Sequence, residues 1–271
     1  MTDEEFYRIH VYLKSRYGID MSRKKEIVAG RMDNYIRNGG WRNYTEFMNA
    51  VESDFTGNLE RELVNLLSTN HTFFMREFEH FEYMKNTVLP ELKKKEEEKK
   101  DLNIWCGAAS TGEEPYTIAM VIKEFFGLEH HQWDTKILAT DVSTEALGHA
   151  IAGIYKKEQI AGLQESWKRR FFRTGPDEEH VEVTNELKEE VLFRQFNLME
   201  VFPFRRKMHI IFLRNVMIYF DTETKKQLTQ KLYDVLEPGG YLFIGRTETL
   251  EKGDIPFRLV QPSVFRKEEG K

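Results

Sequence analysis

Two adjacent carboxylates, Glu113 and Glu114, follow a run of small residues, Gly107-Ala108-Ala109-Ser110-Thr111-Gly112, and open a helix-like segment, "EEPYTIAMVIKEFFG". A turn of small residues lets a ligand approach the backbone, and the helix N-terminus beyond it offers N–H donors. The middle glycine of a G-x-G-x-x-G dinucleotide turn is absent, and carboxylates stand where a pyrophosphate would need donors. Acidic groups there suit a cationic or zwitterionic ligand, or simply cap the helix and offset its dipole. Further along, Asp141 ends the apolar run "ILATD", Asn197-Leu198 follows "EVLFRQF", and Arg214-Asn215 follows "HIIFL" with Tyr219 close behind.

Those positions matter because of the elements that carry them. After residue 101 short apolar runs ("LNIWCG", "TKILATD", "EVLFRQFN", "HIIFLRN", "GYLFIG") alternate with helix-like segments. That alternation predicts an α/β domain with a mostly parallel sheet, which binds its ligand at the carboxyl ends of the strands. In that setting Asp141 suits the two hydroxyls of a ribose, with Ser143 as the alternative cap of the next helix. The Asn197 amide suits an adenine edge, with Leu198 enclosing the ring. Arg214 and Asn215 then lie at the reacting end, unless Arg214 is a salt-bridged structural residue. S-adenosylmethionine, with a sulfonium, an ammonium and no phosphate, fits the acidic turn.

The first ninety residues read as helices. Phe6, Ile9 and Leu13 form one stripe before Gly18, and Ile27, Val28, Met32, Tyr35 and Ile36 form another before Gly39-Gly40. Asn43 or Thr45, and Asn58, are candidate caps for two further helices. The charged stretch "LPELKKKEEEKKDLN" reads as an exposed linker. "RRFFRTGPDEEHVEVTNEL" reads as a hairpin about Gly175-Pro176-Asp177, part of a small antiparallel insertion. These boundaries give a helical domain over 1–85, a linker over 86–101 and an α/β domain over 102–271, with the insertion at 160–196. One stretch fits neither pattern: "LSTNHTFFMRE", residues 67–77, mixes Asn70, Thr72 and Arg76 with Phe73 and Phe74.

Composition narrows the function classes. The 271 residues carry a net charge of −5, which argues against nucleic acid as a bulk partner. No apolar run is long enough to span a bilayer, the first residues are acidic and polar, and one cysteine precludes an internal disulfide. A cytoplasmic protein is the expectation. The eight histidines form no metal-ligand pattern, so no metal is expected. A local basic stretch does exist at 22–42, with Arg23, Lys24, Lys25, Arg31, Arg37 and Arg42.

Taken together, "STGEEPY", "ATD", "RNVMIYF" and "LEPGGYLFIGRTETL", in this order and with Asn70-x-Thr72-x-x-x-Arg76-Glu77 ahead of them, resemble the bacterial CheR-type chemotaxis methyltransferases over nearly the whole chain. The resemblance implies a seven-stranded, Rossmann-like class I methyltransferase sheet with its last strand reversed, an N-terminal helical domain and an inserted β-subdomain. It also implies S-adenosylmethionine as cofactor, S-adenosylhomocysteine as product, and methylation of glutamate carboxylates on chemoreceptors for sensory adaptation. Arg76 and Tyr219 match the family's catalytic Arg and Tyr. Asn70, Thr72, Arg76, Glu114, Asp141, Asn197, Leu198, Arg214 and Asn215 are the implied cofactor contacts. Two positions depart from the pattern: Trp105-Cys106-Gly107-Ala108 replaces a smaller pair, and Met75 stands where an aromatic is usual.

This chemistry suits what the sequence lacks. A glutamate with a pKa of about 4.3 is already an anion at neutral pH and needs no general base. Arg31 and Arg37 are the expected docking cations for the acidic helical bundle of a receptor, reached by a monomer without membrane insertion. An amino-group nucleic-acid methyltransferase would place an Asn- or Asp-Pro-Pro-aromatic run where "RNVMIYF" stands. A small-molecule carboxyl methyltransferase and a non-catalytic cofactor sensor are the other readings, the latter having no need of Arg76 and Tyr219.

Overall fold

The computed structural model describes residues 1–250 and 255–268, so the end of the expected α/β domain, 269–271, lies outside the described residues. Four helices come first: α1 (Asp3–Tyr17), α2 (Lys25–Asn38), α3 (Tyr44–Ser53) and α4 (Asn58–Leu67). Thr2 and Glu5 close a reciprocal capping box on α1, and Gly18, at φ 70°, stops it. Asn43 caps α3 by accepting the Glu46 N–H. Asn58 is not a cap. Asp54 instead accepts the Thr56 and Leu59 N–H groups, and Gly57 at φ 68° turns the chain into α4. The apolar stripes, among them Ile9, Leu13, Met32, Phe47 and Leu63, bury one another in a core that ends at Leu67.

Beyond Leu67 the chain joins a different core. Phe74, Phe81, Met84, Val88, Leu89 and Leu92 pack with the sheet, so residues 74–85 do not share the helical unit's core. The expected linker is largely helix: α5 (Glu79–Tyr83), a π-helical turn (Met84–Val88) and α6 (Leu89–Lys95) run on continuously. Val88, Leu89 and Leu92 supply an apolar face, the lysines cover the other side, and even Glu96 is buried, 3.4 Å from His209. Charge density hid that short apolar repeat.

Among the described residues ten strands follow: β1 (Ile104–Gly107), β2 (Ile137–Asp141), β3 (Ile154–Lys156), β4 (Phe172–Thr174), β5 (His180–Val183), β6 (Val191–Gln195), β7 (Met208–Leu213), β8 (Leu236–Phe243), β9 (Phe257–Gln261) and β10 (Val264–Lys267). Seven form one sheet in the order β6-β2-β1-β7-β8-β10-β9, in which β10 runs antiparallel to both neighbours. Helices α7 (Glu113–Phe126), α8 (Thr144–Ala152), α9 (Glu165–Phe171), α10 (Asn185–Lys188) and α11 (Thr222–Val235) make the connections. The strand order reverses beside β1, so the crevice at its carboxyl end is the topological switch point.

The small sheet, β3-β5-β4, is antiparallel, and the Gly175 N–H closes its hairpin on the His180 carbonyl. Its extent differs from 160–196. It begins at Ile154, which pairs with Glu182, whereas β6 within those bounds pairs with β2 in the main sheet. Three residues of β3 are too few to show an alternation in sequence.

Candidate active site

A cavity lies between the helical unit and the carboxyl ends of β1, β2, β6 and β7. Residues 68–76 cross it as a strap and contribute Asn70, Thr72 and Arg76. Glu114 enters from the start of α7, Asp141 from the end of β2, and Asn197 and Leu198 from the turn after β6. Arg214, Asn215 and Tyr219 enter from the turn after β7. Ten positions named from sequence therefore line one space.

The strap is pinned from several sides. Arg31 donates to the Leu67 and Ser68 carbonyls (2.9 and 2.8 Å) and to Thr69 Oγ1. Ser110 Oγ donates to the Asn70 carbonyl, and the Met75 N–H donates to Thr117 Oγ1. Met75 and Glu77 both adopt left-handed backbone, at φ 60° and 57°, an unfavourable state for side chains with a Cβ. Phe74 anchors the crossing, packed edge-on against Tyr155 and Phe172. Phe73 is no second anchor, being 47% exposed, with the Arg76 guanidinium 5.8 Å from its ring. Arg76 also donates to the His71 carbonyl at 2.8 Å.

A buried charge cluster forms the floor. The Arg214 side chain is 1% exposed, with Nη1 2.6 Å from Glu114 and Nη2 3.1 Å from Glu77. Its Nη2 also donates to the Arg76 carbonyl, while its Nε is buried without a partner among the described residues. Burial pushes the Glu114 carboxyl above its ordinary range, against the pull of Arg214. Burial acts likewise on Glu77, but Arg214 and the Arg246 N–H outweigh it and hold that carboxyl low. Asp141 differs: burial raises its carboxyl, and its hydrogen-bond partners are backbone N–H groups of Ser110 and Ser143, both at 2.8 Å. The cap of α8 is Ser143, so Asp141 is left facing the cavity.

Other expected contacts find different employment. The Asn197 amide donates to the Arg16 carbonyl at 2.8 Å and accepts the Met199 N–H at 3.0 Å, so both its functions already tie protein to protein. Arg31 is turned inward to the strap rather than outward to a partner. Arg37 is exposed and bonds only within α2, to Asn34 and the Asp33 carbonyl. Glu113 points away from the cavity, toward Thr111 and Gln159. His130 is half-buried, and its Nε2 meets Thr135 and Glu190. Among the described residues no group of three or more His, Cys, Asp or Glu side chains is placed to hold a metal ion. No helix among them is long and apolar enough to cross a membrane.

Residues 70–265 match the family model described as CheR methyltransferase, SAM binding domain. The chain belongs to the CheR methyltransferase family. A chemotaxis protein methyltransferase of Borreliella burgdorferi is 38% identical over 98% of this chain and 95% of its own length. That of Escherichia coli is 33% identical over 98% and 91%, and Cher2 of Pseudomonas putida is 33% identical over 96% and 95%. This CheR-family chain is accordingly a chemotaxis methyltransferase whose cofactor is S-adenosylmethionine.

The cavity suits that cofactor on its own chemistry. Asp141 is a buried acceptor to which no cation among the described residues bonds, suited to a ribose diol, and Glu114 is a second carboxylate lining the cavity. Leu198, Phe196 and Ile19 supply apolar surface for a flat ring. Several lining residues escaped the sequence reading. Tyr17 ends α1, and Ile19 and Met21 come from the α1–α2 connection, which reaches the site because Ile19 bridges to Phe220 and the Asp20 N–H donates to the Tyr219 carbonyl. Glu77 and Glu248, which hold the Arg214–Tyr219 turn, also lacked a role; their place within the two motifs "MRE" and "RTETL" was the available signal.

Proposed function

We propose that the chain methylates glutamate side-chain carboxylates on the acidic helical bundle of chemoreceptors, giving methyl esters. The observation that carries this reading is that Arg76, from the strap, and Tyr219, from the turn after β7, line the same cavity as Asp141 and Glu114. When bound, S-adenosylmethionine supplies an electrophilic methyl group on a sulfonium. Asp141 accepts hydrogen bonds from the ribose hydroxyls, and Glu114 faces the amino-acid end. The incoming glutamate is already an anion, so one of its oxygens forms the new C–O bond as the S–CH₃ bond breaks, with the electron pair left on sulfur. No proton has to move.

Catalysis then rests on alignment and exclusion of water. Arg76 holds one carboxylate oxygen and leaves the other free, and the Tyr219 hydroxyl steadies the approach. Lys24, 4.9 Å from the centre of the Tyr219 ring, adds positive charge on the same side. With Arg31 committed to the strap, Arg37 is the docking cation that the proposal retains on α2.

The test is incubation of the full chain with methyl-labelled S-adenosylmethionine and receptor helical-bundle fragments. The expected result is label on a glutamate, released as methanol by mild base. Base-stable label, or label only on a small acid, would overturn the assignment.

A further inference from the structure

Glu248, in the "RTETL" segment after β8, is one of the most constrained carboxylates in the structure. It is 6% exposed and does not line the cavity. Its Oε2 accepts the Asn215 N–H at 2.8 Å and the Gly245 N–H at 2.6 Å, and its Oε1 accepts the Ile218 N–H at 3.3 Å. Asn215 sits in left-handed backbone at φ 59°, which opens the turn that ends at Tyr219. A Cβ on Gly245 would stand 2.5 Å from Asn215 Nδ2 and 2.8 Å from Glu248 Oε2, so the end of β8 is pressed directly against this turn. From the opposite side Glu77 receives the Asn215 side-chain N–H and the Arg214 guanidinium.

We infer that Glu248 is the positioning residue for Tyr219: its carboxylate grips both ends of the 215–218 turn and so sets where the tyrosine hydroxyl stands in the cavity. Three backbone donors on one carboxylate make a stiff clamp: the short bonds to Asn215 and Gly245 fix the carboxylate, which then holds Ile218 by the longer third bond. The grip on Ile218 is the one that matters most, since that residue immediately precedes Tyr219. The inference rests on the reading of Tyr219 as a group that touches the substrate.

Glu248→Gln isolates the clamp. The glutamine oxygen replaces Oε2 and keeps Asn215 and Gly245, whereas its NH₂ group faces the Ile218 N–H, donor against donor. Turnover with a receptor fragment is expected to fall between about ten- and a hundredfold. The dissociation constant for S-adenosylhomocysteine is expected to stay within about threefold, because Glu248 itself does not line the cavity and the glutamine oxygen keeps the bond to the wall residue Asn215. In a Tyr219→Phe background the same substitution is expected to cost about twofold or less, the non-additivity of a residue acting through another. Independently of any substrate, hydrogen exchange at the Ile218 amide should quicken at least about tenfold, while the Asn215 amide stays protected.

An unchanged Ile218 exchange rate, an equal turnover loss in both backgrounds, or product affinity falling in parallel with turnover would each overturn the role of Glu248. Failure of the wild-type chain to methylate the fragment would instead strike the receptor reading. The exchange measurement would still decide the clamp.

Discussion

Arg214→Met tests the buried charge cluster most directly. The guanidinium stands between Glu114 at 2.6 Å and Glu77 at 3.1 Å, with 1% of its side chain exposed. Methionine keeps much of the bulk but leaves two carboxyls in the interior without that cation. Removing one partner of a buried ion pair costs about 3–5 kcal/mol. For a chain of this size each kcal/mol lowers Tm by about 2–4 °C, so a fall of about 6–20 °C is expected.

The pH dependence fixes the cause. In the wild type Glu77 is held below its ordinary pKa, so its contribution is present above that value and is lost as pH falls through the folded one. Without Arg214, burial prevails at both Glu77 and Glu114, and both folded values rise. Such groups favour the fold at low pH and lose that contribution as pH rises through the raised value. The gap between wild type and variant should therefore narrow from pH 7.5 to pH 5.5. Urea denaturation followed by tryptophan fluorescence at both pH values measures it, Trp105 being buried in β1. A loss below about 1 kcal/mol at pH 7.5, the size expected of a surface pair, would refute the reasoning, as would a gap that holds or widens on acidification.

Arg76→Ala should lose most of its turnover with receptor fragments while Tm shifts by no more than about 2 °C, because the lost contacts are one hydrogen bond and a partly exposed ring; near-normal methylation would remove Arg76 from the mechanism. Phe74→Ala and Phe73→Ala should separate sharply in denaturation. The first costs about 3–5 kcal/mol because it empties a packed aromatic site, and the second less than about 1 kcal/mol because its ring is half exposed. Equal losses would mean that Phe74 does not anchor the strap.

Much of this architecture is written locally in the chain. Four neighbouring strands, β2, β1, β7 and β8, show because strands buried on both faces need continuous apolar residues, and α1 shows because its apolar stripe stops at Gly18. The lining of the cavity was equally legible, since a doubly wound sheet presents whatever follows its strands: Asp141, Asn197, Arg214. What local patterns could not carry was partnership. Asn197 looks free until α1 arrives with the Arg16 carbonyl, and Arg31 looks like a surface cation until the strap lies against it. Phe73 and Phe74 are identical in sequence terms, yet Tyr155 and Phe172 receive one ring in the core and the other is left half exposed. Residue types and spacing determined the strands, the helices and the list of polar groups at the strand ends. Only the tertiary structure decided how much hydrogen-bonding capacity each of those groups keeps for a ligand, because every bond made to another segment uses up one donor or acceptor.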